Sequence, residues 1–190
     1  MNSQNVSTGS PNVGGAIYTA PAGTTIPTDA VMPLAEAFVE LGYASEEGIT
    51  NTVETESTAV KAWGGDEVLN EITSRSEGFS FKLIETSLAT LKEVYGADNV
   101  TEDESGFAVL HNARAIAERI HIYEIIMGAG QVKRIVVPRV KTKELGDIVY
   151  NGTDPVGYEL TLAALPDAEG NTAYEYFAQM ALGDENDAEE

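Results

Sequence analysis

The chain contains no cysteine, which excludes a disulfide framework and any thiolate metal site and leaves packing or neighbouring subunits to hold the fold. Long apolar runs are also missing. No stretch approaches the roughly 20 residues of a membrane span, and the opening MNSQNVSTGSPNVGG has neither a basic region nor an apolar core of leader type. The expectation is a soluble product made in the cytoplasm. Basic residues are scarce: 11 Lys and Arg stand against 31 Asp and Glu, for a net charge of -20. Such a balance argues against binding nucleic acid by phosphate neutralisation. It can serve a wall past which DNA slides, because like charges keep the phosphates from lodging, but plain solubility of an abundant protein is the reading that composition alone favours.

Histidine is nearly absent too. His111 and His121 are the only two, and neither has a second histidine at ligand spacing, so both read as satisfied surface or strand residues. No G-x-S-x-G elbow supports a serine nucleophile. The pairs Gly14-Gly15 and Gly64-Gly65 lack the Gly-Lys-Ser/Thr that completes a phosphate loop. Carboxylates are so common that no one pair stands out as an acid/base dyad, and Glu102-Asp103-Glu104 reads as a solvated turn. The stretch from Asp98 to Asp103 departs from a calcium loop at several positions. No catalytic residue, metal site or cofactor is assigned, and the chain is not read as an enzyme.

At 190 residues with 43% hydrophobic content, the chain supports one well-filled core. Residues 1–33 are rich in Ser, Thr, Asn, Gly and Pro and read as a flexible N-terminal arm. Its apolar patch Ala16-Ile17-Tyr18-Thr19 is either a chance tetrapeptide in a disordered tail or a strand added to a neighbour. Residues 34–180 form the folded domain, and 181–190 an acidic C-terminal tail.

Within the domain, LAEAFVELGY from Leu34 reads as a helical turn running into a strand, and Ser45-Glu46-Glu47-Gly48 as a turn. Ile49 to Trp63 alternates as an exposed, weakly amphipathic ribbon ending at Gly64-Gly65. Val68–Arg75 and Phe79–Ile84 read as two strands joined around Glu77-Gly78. Ser87 caps a helix carrying Leu88, Leu91 and Tyr95 at helical spacing, with Gly96 as its stop. The β-branched density of Ile120–Ile126 favours a strand. Further strands are expected at Val132–Val140, Gly146–Tyr150, Gly157–Leu165 and Ala173–Phe177, broken by Asn151-Gly152, Asp154-Pro155-Val156-Gly157 and Pro166-Asp167-Ala168-Glu169-Gly170. The sum is a mainly β (α+β) domain, two packed antiparallel sheets with one flanking helix. Trp63, the single tryptophan, reads as a subunit anchor or a core contact beside its Gly-Gly turn, and less simply as a ligand-stacking residue.

The ordered set GAIYTAPAGTTIPTDA, AFVELGYASEEGIT, KAWGGDEV, GFSFKLIETSLATLKEVYG, RIVVP, GDIV, GYELTLAALPD and GNTAYEYF resembles the major tail tube proteins of long-tailed siphophages, especially those infecting actinobacteria. The likeness runs from about Gly15 to Phe177. It implies a tail-tube β-sandwich or barrel whose subunits form hexameric rings, with inner strands joined into one barrel. It implies that the rings stack into the conduit for DNA ejection, in the virion tail after assembly in the host cytoplasm. The partners it implies are identical subunits, the tape measure, tail terminator and distal tail proteins, and DNA that passes the lumen without specific binding. Under it, the ribbon from Thr52 to about Glu67 is a mobile loop, Ile17, Tyr18, Val60 and Trp63 are inter-subunit contacts, and Glu54, Glu56 and Glu71 are lumen acids. Two other readings stay open: another ring-forming component such as a tail terminator or contractile inner-tube protein, and a β-sandwich adhesion or binding module.

Overall fold

A computed structural model describes residues 6–12, 15–104 and 106–179; the acidic tail expected at 181–190 lies outside them. The fold is mainly β with a single α-helix and two antiparallel sheets. Its strands are β1 (Gly9–Pro11), β2 (Ile17–Pro21), β3 (Val39–Glu40), β4 (Ala44–Lys61), β5 (Glu67–Leu83), β6 (Val100–Asp103), β7 (Gly106–Val109), β8 (Arg119–Met127), β9 (Gln131–Leu145), β10 (Tyr158–Ala164) and β11 (Tyr174–Gln179), with helix α1 (Leu88–Tyr95) between β5 and β6. The larger sheet runs β3-β2-β8-β9-β10-β5-β4, with β1 added to β8 and β11 to β9; β6 and β7 pair separately.

Strand β9 serves two halves of the large sheet. Its first part pairs with β8 and β11, and from Val140 to Leu145 it pairs with β10. The ladder to β8 is irregular between Val137 and Val140, where Pro138 has no N–H to donate and proline is tolerated because the pairing is already broken. The halves then fold face to face into a β-sandwich. Phe79 of β5 stacks on Tyr123 of β8 with ring centroids 5.1 Å apart, and Phe81 meets the Tyr123 edge at 6.0 Å. Around them Ile17, Leu83, Ile135, Val137, Leu160 and Leu162 complete a buried core.

Strand β8 is buried on both faces. Its His121 and Tyr123 look into the sandwich, while Ile120, Ile122 and Glu124 share the opposite face with Ala20 and Val136. Glu124 is paired there with Arg134, whose Nε donates at 2.9 Å and whose Nη2 makes a second contact. The same guanidinium donates through Nη1 to the carbonyls of Asp29 (3.0 Å) and Met32 (2.7 Å), which pins the segment between β2 and β3 to the sheet. Both Arg134 donors converge on Glu124 Oε1 while Oε2 accepts from Asn12 Nδ2 at 2.8 Å, and with the carbonyl acceptors this satisfies charges that burial would otherwise penalise heavily.

Helix α1 is built as its sequence signals indicate. The Ser87 hydroxyl accepts from the Thr90 N–H at 3.2 Å, and Gly96 ends the helix at φ 88°, a conformation other residues rarely adopt. The helix buries Thr90, Leu91, Glu93 and Val94, a stripe deeper than the expected Leu88/Leu91/Tyr95, whose outer two members are half-buried. Glu93 reaches back to the sheet, 2.9 Å from His121 Nε2 and 2.9 Å from Arg119 Nε. An ionised carboxylate only accepts, so His121 donates through Nε2; Arg119 Nε–H donates to Thr19 Oγ1 at 2.8 Å, and its contact with Glu93 is one of charge. Burial, the largest influence, raises the Glu93 pKa, but His121 and Arg119 together outweigh it and hold the carboxyl below its ordinary value.

Several expectations are corrected. The boundary at residue 33 does not mark where the fold begins, because Ile17–Pro21 is an inner strand paired with both β3 and β8. Ser45–Gly48 is no free turn but an irregularity inside β4, between Ala44 opposite Leu83 and Ile49 opposite Phe81. Val68–Arg75 and Phe79–Ile84 are parts of one strand, β5. Gly78 is there because a β-carbon would sit 2.9 Å from the Leu162 carbonyl oxygen, so glycine marks close backbone approach rather than a turn. Gly146–Tyr150 is irregular, since the chain leaves the sheet after Leu145.

The Glu93 contacts predict a pH dependence. A carboxyl whose folded pKa is depressed contributes stability that is fully present above its unfolded pKa and is lost as pH falls through the folded value. Glu93→Gln therefore destabilises the protein at neutral pH by about 3 kcal/mol, the scale for breaking a buried pair, and loses less further stability than the parent on acidification. Denaturant unfolding of both at neutral and acid pH checks this; equal acid losses would contradict it.

Candidate assembly surfaces

The pairing of β4 and β5 starts inside the sandwich and continues far beyond it. Phe79, Phe81 and Leu83 are buried at the base, yet from Asn51 on one strand and Ser76 on the other every residue out to the turn is exposed. At about 3.3 Å per residue, the ten residue-to-residue steps from Asn51 to Lys61 project roughly 30 Å. The turn is closed by Ala62 N–H to the Asp66 carbonyl at 2.8 Å and Gly65 N–H to the Ala62 carbonyl at 2.9 Å.

The register separates two faces. Residues directly opposite one another share a face, and Glu54, Glu56, Thr58 and Val60 lie opposite Ser76, Ser74, Glu71 and Leu69. Thr73 is the extra residue of β5 that shifts the register between Glu56 and Ser57. So Glu54, Glu56 and Glu71 stand together on one face of the hairpin. At its base that face continues through Thr52, Thr50 and Ser80 to Thr161 and Ala163 of β10, a polar surface turned away from the core. The other face carries Val53, Thr55 and Ser57 opposite Glu77, Arg75 and Ile72, and leads down to Asn51 and Phe79 in the body.

Near its end the hairpin is apolar on both faces. Val60 and Leu69 lie on the polar face, Ile72 on the other, and Trp63 is fully exposed at the turn. Isolated exposed apolar residues need no explanation, but this many on one unsupported ribbon mark a contact surface. The structure thus places Val60, Trp63, Glu54, Glu56 and Glu71 on a single element. Ile17, also expected as a contact, is corrected: it is wholly buried in the chain's own core, opposite Tyr123. Tyr18 is half-buried on the second face, opposite Ile122 and Glu40.

The ionisable groups inside the body serve structure. His121, with Glu93 and Arg119, ties helix to sheet, and the His111 ring lies against Tyr95, tilted by 52° with centroids 4.7 Å apart. Burial pushes the Tyr123 hydroxyl well above its ordinary pKa, helped by Glu93, so it stays protonated. Among the described residues, no group of three or more His, Cys, Asp or Glu is arranged to hold a metal ion. Sequence reasoning missed the Glu93, Glu124 and Arg134 contacts; Glu124 carried a signal, standing in strand alternation with Ile120, Ile122 and Ile126.

The sequence matches the model of the family described as Phage tail tube protein over residues 1–185. No curated protein matches the chain. Among solved structures, it is similar to a chain of the virion of native gene transfer agent particle, with TM-score 0.40, 11% identity, and coverage of 89% of this chain and 99% of that one. It is likewise similar to a chain of the anti-feeding prophage cap, the tube terminating cap, with TM-score 0.41, 8% identity, and coverage of 94% and 99%.

Because the hairpin lies outside the core, Trp63→Ala shifts unfolding free energy by less than about 0.5 kcal/mol, whereas Phe79→Ala at its base costs about 3–5 kcal/mol. Chemical denaturation of the dilute subunit checks both; a large loss for Trp63→Ala would mean the indole packs on its own chain.

Proposed function

Since the chain belongs to the phage tail tube protein family, and so is a structural component of the virion tail, we propose that it forms hexameric rings that stack into the conduit for DNA ejection. The observation that carries this reading is the β4–β5 hairpin. A two-stranded ribbon about 30 Å long with apolar residues on both sides of its end has no stabilising partner among the described residues of its own subunit. A neighbouring ring supplies one, with Val60 and Trp63 as its contacts.

The lumen side of this reading is supported by the polar face. Glu54, Glu56 and Glu71 share it with Ser74, Ser76 and Ser80, a surface of acids and small hydroxyls without a large apolar side chain until Val60 and Leu69. Turned inward, it repels phosphates and offers DNA nothing to hold, so the duplex slides. The opposite face leads down to the sandwich core at the hairpin's base and faces away. Assembly takes place in the host cytoplasm, with tape measure, tail terminator and distal tail proteins setting the length and ends of the tube.

Electron microscopy of concentrated protein is expected to show tubes with a central channel. Trp63→Ala combined with Val60→Asp is expected to leave folded subunits and few or no tubes. Isolated particles for the parent under all conditions would refute the tube; normal tubes from the double variant would refute the hairpin contact.

A further inference from the structure

We propose that Asn151, in the exposed loop between β9 and β10, is a self-modifying site: the folded chain turns this asparagine, through a cyclic imide formed with Gly152, into aspartate and isoaspartate. The conversion needs no second subunit, so it holds whether or not the chain forms tubes.

Asn151-Gly152 is the one Asn-Gly pair in the sequence, and residues 151–155 are all exposed. Attack on an asparagine amide comes from the backbone nitrogen of the next residue, and glycine alone leaves that nitrogen without a side chain beside it. The space around Gly152 is open, since a β-carbon there would meet nothing within 4 Å. Among the described residues nothing accepts a hydrogen bond from the Gly152 N–H, which is left to solvent.

The loop prepares the other reactant. Asn151 Oδ1 accepts from the backbone N–H groups of Thr153 (2.9 Å) and Asp154 (2.7 Å). An oxygen held by the N–H groups two and three residues ahead folds the amide carbon back over the intervening peptide nitrogen, that of Gly152. The same two donors draw electron density from the carbonyl and already stand where the oxyanion forms when the nitrogen adds. The Thr153 hydroxyl is shared between Oδ1 and Asp154 Oδ2, 3.2 Å from each. On the leaving side Asn151 Nδ2 donates to Asp154 Oδ2 at 2.9 Å, which orients the amide.

The steps balance with water alone. The Gly152 nitrogen gives its proton to solvent and bonds Asn151 Cγ. The Cγ–Nδ2 bond breaks with its electron pair on nitrogen, which takes a proton from water and leaves as ammonia. Water then opens the imide ring at either carbonyl, giving aspartate or, with the chain routed through the side chain, isoaspartate. Nothing is oxidised or reduced; one water is consumed and one ammonia released. The change is one-way and alters the loop. Where Nδ2 donated to Asp154, a carboxylate then faces a carboxylate, and like charges so close repel, which loosens the turn.

The test is incubation of the folded subunit in mildly alkaline buffer below its unfolding temperature, with peptide mass mapping and isoaspartyl methyltransferase labelling as readouts. The same chain unfolded in urea gives the reference rate. Asn151 is expected to convert roughly tenfold faster in the folded chain than in urea. Asn171, exposed but followed by Thr172, is expected to stay an amide over the same interval. Gly152→Ala is expected to keep the parent's melting curve and to lower the rate at Asn151 by roughly tenfold or more. An Asn151 that stays intact in the folded chain, or converts no faster there than in urea, overturns the proposal, as does conversion of Asn171 at the Asn151 rate.

Discussion

Everything distinctive in this molecule depends on the contact between β5 and β8 across the sandwich. Phe79 and Phe81 of β5 lie against Tyr123 and His121 of β8, strands separated in the sheet order by β9 and β10. Only a sheet that curls back on itself brings them together. The curl is accommodated at Pro138, where β9 passes from β8 to β10. Aromatic pairs of this kind add about 0.5–1.5 kcal/mol to the area they bury. The rigid base and the unsupported ribbon are one strand pair, divided where Phe79 gives way to Glu77.

The polar groups of the interior reinforce that division. Glu93 ties the helix to the inner face of β8 through His121 and Arg119, and Glu124 with Arg134 ties the segment between β2 and β3 to its outer face. Both faces of β8 are therefore covered within the subunit. Among the described residues, strands that pair on one side alone include β3, β4 and β11, all away from the centre of the sheet.

Much of this is legible in the sequence. Ser87 and Gly96 bracket the helix because their cap chemistry is local, and Ile120–Ile126 is a strand because β-branched residues suit one. The departures have a common physical origin. The immediate neighbours of Ile17, Gly78 and Ser45–Gly48 suggest an arm and two turns, but each is decided by a distant strand: Tyr123 opposite Ile17, Leu162 above Gly78, and Phe81 opposite Ile49. The same holds for the candidate acids. Alternation alone puts Glu54 and Glu56 on one face, but placing Glu71 with them needs the extra residue at Thr73, which only the register reveals.

In the proposed tube the surface itself is the working part: a core holds one end of a hairpin, and the hairpin's polar face is proposed as the wall of the channel. A high-resolution electron cryomicroscopy map of the assembled tube tests this most directly. The predicted map has Glu54, Glu56 and Glu71 directed into the channel and the Val53/Ile72 face directed away from it. A channel lined by lysines and arginines, or a hairpin with its acidic face turned to the outside, would contradict the account.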